Sequence, residues 1–281
     1  MALFSRLRTQ ISSWWQDTPL PAGTSATFQS WHEFDRAGNR WRPVDTNRGS
    51  AGTPSGTDPD KPYHLVTWNV DYSSPHPGQR LAAILSYTLS LAPAVDILLL
   101  QELSREAFLH LLSSPTVRAR WLLSDADGVL PAGQSFTTIT LLSRVRFPNP
   151  GPVWRVQYPT RFGRDALCCD VFVGRGDVRV RLVNVHLDSL PIQPSLRPGQ
   201  VAAAAGLLRS AERGVVAGDF NPVLPSDGGL LRENGLVDAW EELKNEEEGF
   251  TWGVDGTEPF PPCRMDKVGV VGLRVGGIEV L

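Results

Sequence analysis

The chain has 281 residues, of which 41% are hydrophobic, and its formal net charge at pH 7 is −3. This composition supplies an ordinary globular core in one large domain or two small ones, and it excludes a disordered chain. The small net charge gives no basic field around the whole molecule, so any contact with nucleic acid has to use a local patch. The three cysteines, two of them adjacent, support neither a disulfide framework nor a zinc site and favour a reducing compartment. No apolar run approaches the length of a membrane span.

The first 60 residues are predicted to form an N-terminal extension, and residues 61–281 the main domain. Residues 1–16 are amphipathic and basic, which suits a helix packed on the domain, with an organelle-targeting peptide or a membrane-surface helix as alternatives. The pattern of residues 28–44, FQSWHEFDRAGNRWRPV, predicts an aromatic hairpin that caps the main domain. Residues 47–61 are rich in Gly, Ser, Thr and Pro and are expected to form an exposed linker.

The rest of the chain alternates apolar runs typical of buried strands with segments of helical periodicity. Strands are predicted at residues 64–70, 95–100, 120–123, 136–142, 153–158, 166–173, 178–187, 214–218 and 265–271. Helices are predicted behind Pro77, from an N-cap at Ser104 to about residue 112, over 198–212, and in two short pieces at 227–234 and 236–243. The strand-rich middle is expected to form an antiparallel meander.

Residues 215–222, VVAGDFNP, combine a short apolar strand with polar residues at its end. In a layered α/β fold, residues just past the carboxyl end of a buried strand project into the crevice where ligands bind. Asp219 supplies a base there, and Asn221 supplies a neutral donor and acceptor. This pair suits an active site that deprotonates water and holds an anion. The same residues also favour a tight turn, so the tetrapeptide alone does not decide between the two interpretations.

Three other predicted strands end in polar residues in the same way. These residues are Asn69 and Asp71, Glu102, and His186 and Asp188. A glutamate that follows a fully apolar strand is costly beside a core unless a cation neutralises it. A metal ion would do so, and the sequence therefore favours a metal site where these strands end.

Five motifs in this order, TWNVD, LQE, NVHLDS, GDFNP and RMDKV, resemble the endonuclease/exonuclease/phosphatase superfamily over about residues 63–271. Their wording is most similar to the tyrosyl-DNA phosphodiesterase type 2 branch, in particular its fungal members. The resemblance implies an α/β (α+β) fold, a four-layer αββα sandwich with its site at one edge. It also implies a metal-dependent hydrolase that uses Mg²⁺, or alternatively Mn²⁺, on DNA or another phosphodiester. Such an enzyme would act in DNA repair in the nucleus or the cytoplasm.

The resemblance assigns a role to each matching residue. Glu102 would hold Mg²⁺, with Asp71 beside it at the metal and Asn69 orienting the metal's shell. Asp219 would position or deprotonate the attacking water, and Asn221 would align that water with the phosphate. His186 would donate a hydrogen bond to the phosphate oxygens.

Local charge adds three candidates for substrate binding. Arg161, Arg164 and Arg197 lie near the predicted strand ends and are expected to contact phosphates outside the scissile position. Solvated loop arginines are the alternative. The sequence does not indicate an oligomeric state.

One motif of the superfamily is missing from this sequence. The superfamily's final Ser-Asp-His segment carries a phosphate-contacting histidine that Asp266 would support, yet none of the five histidines lies beyond His186. The fold is therefore expected to be C-terminally incomplete, with Val270 and Val271 partly uncovered. A remnant that binds phosphate or nucleic acid but turns over poorly stays open as a second function. Sphingomyelinase-like, inositol-phosphatase-like and RNA-trimming activities also fit, because the motifs specify the phosphate chemistry and not the leaving group.

Overall fold

The computed structural model describes residues 18–44, 61–174, 178–258 and 260–281. Its strands are β1 Ala26–Gln29, β2 His32–Asp35, β3 Arg40–Pro43, β4 Leu65–Asn69, β5 Ile97–Ser104, β6 Trp121–Leu123, β7 Phe136–Ser143, β8 Val153–Gln157, β9 Asp165–Val173, β10 Val178–His186, β11 Gly214–Asp219, β12 Val237–Asp238 and β13 Asp266–Val271. Its helices are α1 Pro77–Ser90, α2 Arg105–Ser113, α3 Pro115–Arg120, α4 Arg197–Ser210, α5 Leu230–Glu233 and α6 Ala239–Leu243, with a 3₁₀ turn at Pro225–Asp227.

These strands form two sheets. One has seven strands in the order β1-β8-β9-β10-β11-β13-β12, and the other has six in the order β3-β2-β6-β7-β5-β4. Strands β10 and β11 run parallel, as do β4 and β5, and the connections that make this possible carry α4 and α1. The carboxyl ends of both parallel pairs lie at one edge of the fold. In the described part of the chain, no helix is long and apolar enough to cross a membrane.

Alternating side chains of the apolar strands build three hydrophobic layers. In β5, Leu98 and Leu100 pack outward with Ile84 of α1 and Phe108 of α2, while Leu99 packs inward against the other sheet. On the far side, α4 covers the outer face of the seven-stranded sheet. Because both faces of the central strands are covered, the runs are apolar throughout rather than alternating. The predicted four-layer αββα sandwich is confirmed.

The predicted single meander is wrong. Strand β7 pairs with β5 and β6 in the six-stranded sheet, whereas β8 pairs with β1 and β9 in the seven-stranded sheet. The chain crosses between the sheets after β7. Ile139 and Leu141 of β7 pack on the outer side of the six-stranded sheet, and Trp154 and Val156 of β8 pack on the outer side of the seven-stranded sheet. Leu142 of β7 and Val153 of β8 both lie in the layer between the two sheets.

The predicted aromatic hairpin is present as β2 and β3. It does not cap the domain from outside, because β2 pairs with β6 and extends the six-stranded sheet, while β1 joins the seven-stranded sheet. The predicted N-terminal helix at residues 1–16 and nearly all of the linker at residues 47–61 lie outside the described residues. The division of the chain at residue 60 stays a prediction.

The expected uncovering of the last strand is wrong for one of its two residues. Val270 is only 3% exposed, because Val237 of β12 pairs with it along the edge of β13. Val271 is half-buried. The short strand β12 follows α5. The sequence predicts a helix over residues 236–243, which includes β12, so the pairing of β12 with β13 was not predicted.

A buried ion pair fixes the outer part of β10. Arg181 and Asp170 are both fully buried, and the guanidinium donates through Nε and Nη2 to the two carboxylate oxygens at 2.8 and 3.0 Å. Arg179 adds a third hydrogen bond to the same carboxylate at 2.6 Å. The Arg181 guanidinium also lies over the ring of Trp154 at 4.8 Å. A charge pair this deep is stable only because each polar atom has a partner.

Gly218 permits the close approach of β10 and β11 just before the strand end. Its φ is +143°, and a Cβ atom there would lie 1.9 Å from the carbonyl oxygen of Val185. We expect Gly218→Ala to lower the free energy of unfolding by about 3 kcal/mol or more, because it adds a backbone clash to a conformation that only glycine adopts readily. Urea unfolding measures the loss. Gly199→Ala is the control, since that helical glycine has open space around it. Equal stability of the two variants would contradict the prediction.

Candidate active site

Four strand ends bring polar side chains together at one edge of the sandwich. Asn69 ends β4 and Glu102 lies near the end of the adjacent β5, while His186 ends β10 directly beside Asp219, which ends β11. The Nδ2 atom of Asn69 donates to Glu102 Oε1 at 3.0 Å and to Asp219 Oδ2 at 2.9 Å. Asn69 therefore connects a carboxylate of one sheet to a carboxylate of the other.

Strained backbone aims several of these side chains. Asp71, Glu102 and Asn221 all adopt left-handed conformations, with φ values of 62°, 55° and 45°. The register of β5 against β7 shifts between Leu100 and Leu103, so that Glu102 sits in an irregular part of its strand. Non-glycine residues rarely adopt such conformations, and they persist where the surrounding structure enforces them. Their clustering here is typical of a functional site.

The carboxylates of the site are buried close to one another. Burial first, and then the neighbouring Asp266, raises the pKa of Asp219 to about 8. Burial raises the pKa of Asp266 to about 6, with a further contribution from Glu102. Asp219 and Asp266 lie opposite each other in the β11–β13 pairing. A group of carboxylates that resists ionisation in this way is stabilised by a divalent cation, which supplies the missing positive charge.

The side chains present fit such a cation. Glu102, His186 and Asp219 each offer one ligand atom within 4.8 Å of the others. A hard cation such as Mg²⁺ is commonly held through one or two carboxylates and keeps several waters. Glu102 and Asp219 match that requirement, and the backbone N–H of Tyr72 donates to Glu102 Oε2 at 3.1 Å and orients it.

His186 is almost completely buried beneath the carboxylates. Its Nε2 lies 3.5 Å from Glu102 Oε1 and 3.6 Å from Asp219 Oδ2. Burial, reinforced by the nearby Arg164 guanidinium, holds the pKa of His186 well below its usual range. The imidazole is therefore neutral at physiological pH, and it packs on the ring of Phe136 with centroids 5.5 Å apart.

Asn221 lies beside Asp219 in the site, whereas Asp71 lies outside the group of possible metal ligands. The backbone N–H of Asn221 donates to Asp219 Oδ1, and its Nδ2 donates to the carbonyl oxygen of Leu187, so the predicted Asp-Asn pair is adjacent in space. Asp71, predicted at the metal, lies outside the three-residue group. Its Oδ1 accepts from the backbone N–H and the hydroxyl of Ser73, as in a turn.

The three predicted substrate arginines have three different environments. Arg161 is exposed at the rim, with Nη2 on the carbonyl oxygen of Pro194. Arg164 points inward and places Nη1 3.1 Å from Nδ1 of His186. Arg197 is buried. Its Nε donates to Asp227 at 2.8 Å, and its Nη1 donates to backbone carbonyl oxygens. Arg197 therefore stabilises the fold, and its burial does not fit the predicted contact with substrate phosphates.

Asp266, predicted to support a later histidine, faces the site from β13. Its backbone N–H donates to the hydroxyl of Thr251 at 3.0 Å. Its buried Oδ1 has no donor among the residues that the structure describes. The role that the resemblance gives it stays a prediction.

Sequence reasoning missed an amide link beneath the site. Gln101 Nε2 donates to Asn184 Oδ1 at 2.8 Å, and Asn184 Nδ2 donates to the carbonyl oxygens of Leu100 and Ile139. Gln101 and Asn184 are fully buried and belong to different sheets. The signal for them was available, since each is an amide within or at the end of an apolar run, where a buried polar group needs a partner.

Similar solved structures have the same fold. D. rerio TDP2 complexed with a single-strand DNA product matches with a TM-score of 0.57 and 22% identity, over 74% of this chain and 83% of that one. TDP2 from C. elegans matches with a TM-score of 0.53 and 19% identity, over 74% of this chain and 64% of that one. The human Nocturnin catalytic domain with bound sulfate matches with a TM-score of 0.52 and 16% identity, over 75% of this chain and 82% of that one.

No curated protein matches the sequence. The family model for the Endonuclease/Exonuclease/phosphatase family matches residues 66–269, which run from β4 to β13 and include all the strand ends of the site. The chain therefore belongs to the endonuclease/exonuclease/phosphatase family.

Proposed function

We propose that this chain is a divalent-metal-dependent phosphodiesterase that hydrolyses phosphoester bonds at DNA 5′ ends. The observation that supports this most directly is the hydrogen bonding of Asn69 to carboxylates from both sheets, beside a buried neutral histidine. Such a site combines an anchor for a cation, a base and a neutral donor. These are the groups that hydrolysis of a phosphate ester requires.

Glu102 is the residue best placed to hold the cation, with Asp219 as its neighbour. When bound, Mg²⁺ or Mn²⁺ would offset the negative charge that grows on the phosphate oxygens during the reaction. Asn69 keeps the two carboxylates at a fixed separation by donating to both. The proposed contribution of Asn69 is therefore orientation and not charge.

Asp219 is the proposed base for the attacking water. Without a cation, burial and the neighbouring Asp266 raise the pKa of this carboxyl to about 8, which supports a role in taking up a proton, since a base with a pKa near the working pH transfers protons efficiently. The backbone N–H of Asn221 fixes Oδ1, and the Asn69 amide fixes Oδ2. Asn221 would align the water, and His186 would donate to a phosphate oxygen.

The DNA-end substrate is proposed on two grounds. The D. rerio TDP2 structure holds a single-strand DNA product, and its fold is the fold of this chain. Arg161 provides a basic group at the exposed rim of the site, and Arg164 adds a positive charge beside His186, on a chain whose net charge is −3. Arg161 would contact a phosphate next to the scissile one. A role in DNA repair in the nucleus follows from this substrate and stays a prediction.

The test is hydrolysis of a 5′-phosphotyrosyl oligonucleotide by the chain with and without Mg²⁺. We expect release of tyrosine that depends on the metal and that Glu102→Ala abolishes, because this variant removes the carboxylate that anchors the cation. Glu247→Ala is the matched control, since the Glu247 side chain lies on an exposed loop and pairs with the exposed Lys244.

Parallel assays with RNA, sphingomyelin and inositol phosphates separate the substrate classes within the family. Metal-dependent turnover of one of these, without release of tyrosine, would contradict the DNA-end substrate and retain the phosphoesterase. Binding of the oligonucleotide without hydrolysis of any of these compounds would contradict the enzyme and favour a binding module.

A further inference from the structure

The contact between Arg164 and His186 determines which nitrogen of the imidazole carries its proton. Nη1 of Arg164 lies 3.1 Å from Nδ1 of His186. A guanidinium has only donors and stays protonated in proteins, so Nδ1 has to accept, and a neutral imidazole then carries its proton on Nε2. We propose that Arg164 is a positioning residue that fixes His186 as the Nε2–H tautomer, and so makes His186 a hydrogen-bond donor in the site and not a metal ligand.

Aromatic packing holds the two side chains in this arrangement. The guanidinium of Arg164 lies 4.5 Å from the centre of the Phe136 ring, and the imidazole of His186 stacks on the same ring at 5.5 Å with an interplanar angle of 25°. The backbone N–H of Arg164 donates to the hydroxyl of Thr160 at 3.2 Å and anchors the loop. A flipped imidazole would present C–H groups both to Arg164 and to the carboxylates, and would lose the contacts on both sides.

The fixed tautomer determines which groups remain for a cation. Nε2 lies 3.5 Å from Glu102 Oε1 and 3.6 Å from Asp219 Oδ2, so as an N–H group it faces two possible acceptors. A nitrogen that carries a proton has no lone pair for a metal, and Nδ1 is already engaged by Arg164. Of the three candidate ligands, only the two carboxylates are left.

This arrangement affects metal preference. Carboxylate oxygens suit Mg²⁺ and Mn²⁺, whereas imidazole nitrogen suits Zn²⁺ and Co²⁺. Arg164 therefore disfavours the binding of Zn²⁺ and Co²⁺, because it keeps the imidazole from acting as a ligand. This effect rests on the proposed function only in requiring that a cation binds at these carboxylates. The sequence predicts that Arg164 contacts phosphates outside the scissile position. Its contact with His186 gives it a different role, which is to orient the imidazole.

The first test reads the tautomer directly. The intact metal-free protein is labelled with ¹⁵N-histidine, and two-bond ¹⁵N–¹H correlation spectra report the protonation of each ring nitrogen. The sequence has five histidines, and the His186→Gln variant assigns the signal of interest. We expect a protonated Nε2 and an unprotonated Nδ1 for His186. A proton on Nδ1, or a rapidly averaged mixture of the two tautomers, would overturn the proposal.

The second test reads metal preference by titration with Co²⁺, whose visible absorption changes when nitrogen replaces oxygen. Arg164→Met removes the donor, and we expect it to bind Co²⁺ on the order of 10-fold more tightly than the wild type, with a nitrogen-ligand spectrum. Arg164→Lys keeps a donor-only cation and should behave more like the wild type. Arg161→Met is the control, because Arg161 is in the same loop but bonds to the carbonyl of Pro194.

Unchanged Co²⁺ affinity and spectrum in Arg164→Met would overturn the effect on metal preference. If this variant does not fold, the wild-type spectrum and Arg164→Lys still decide. Neither test uses a phosphoester substrate. An inactive chain with the Nε2–H tautomer would therefore contradict the proposed function alone.

Discussion

Replacing Asp219 by Asn is expected to slow phosphoester hydrolysis by about 10³-fold while the fold stays intact. An amide cannot take a proton from the attacking water, so the proposed base is lost. The fold should tolerate the change, because Asn keeps an oxygen that can accept the backbone N–H of Asn221. Burial and the neighbouring Asp266 raise the pKa of Asp219. The substitution removes this carboxylate, and so it relieves its repulsion with Asp266 in the metal-free protein.

The measurement compares initial rates on the 5′-phosphotyrosyl oligonucleotide with thermal unfolding of the same preparations. Asp255→Asn is the control, since Asp255 lies in an exposed turn and accepts from Thr257. A rate for Asp219→Asn within a factor of a few of the wild-type rate would remove Asp219 from the proposed role. A large drop in its unfolding temperature would instead make the loss of activity a folding effect.

Asp170→Ala is expected to lower the free energy of unfolding by about 3–5 kcal/mol. The substitution leaves the guanidinium of Arg181 fully buried without the two carboxylate oxygens that it contacts. The cost of an unpaired buried charge exceeds the value of the pair itself, because no water reaches the group that is left behind. Arg179 loses its 2.6 Å contact as well.

Urea denaturation gives the size of this loss. Glu247→Ala is the control, because it breaks the exposed ion pair with Lys244 and should change the stability by less than about 1 kcal/mol. Comparable losses in the two variants would contradict the difference that we draw between buried and exposed pairs. An unchanged slope with denaturant confirms that the unfolded state is the same in both.

The sequence was sufficient to find the strand ends, because they are local signals. A strand covered on both faces reads as a continuous apolar run, and a polar residue at its end stands out. Asn69, Glu102, His186 and Asp219 were identified in this way, and all four converge in the structure. The pairing of parallel strands brings such ends to the same edge of a sheet.

The rest depended on contacts that no local pattern records. Asp71 is two residues from Asn69, yet a left-handed backbone conformation turns its carboxylate to Ser73. Arg197 and Arg164 are both arginines near strand ends, but Arg197 is paired with Asp227, which is 30 residues further along the chain. Only the packed fold shows that one arginine is buried and that the other faces the histidine.

Division of the reactive groups between two sheets has a consequence for inactivation. Asn69 and Glu102 come from the six-stranded sheet, and His186 and Asp219 come from the seven-stranded sheet, so neither sheet alone contains all groups of the candidate site. A slip of one sheet over the other by a single residue, about 3.3 Å, would separate these partners and leave every strand pairing intact. The hydrogen bond between the buried amides of Gln101 and Asn184 opposes such a slip, and so it keeps the two halves of the candidate site aligned although neither amide belongs to that site.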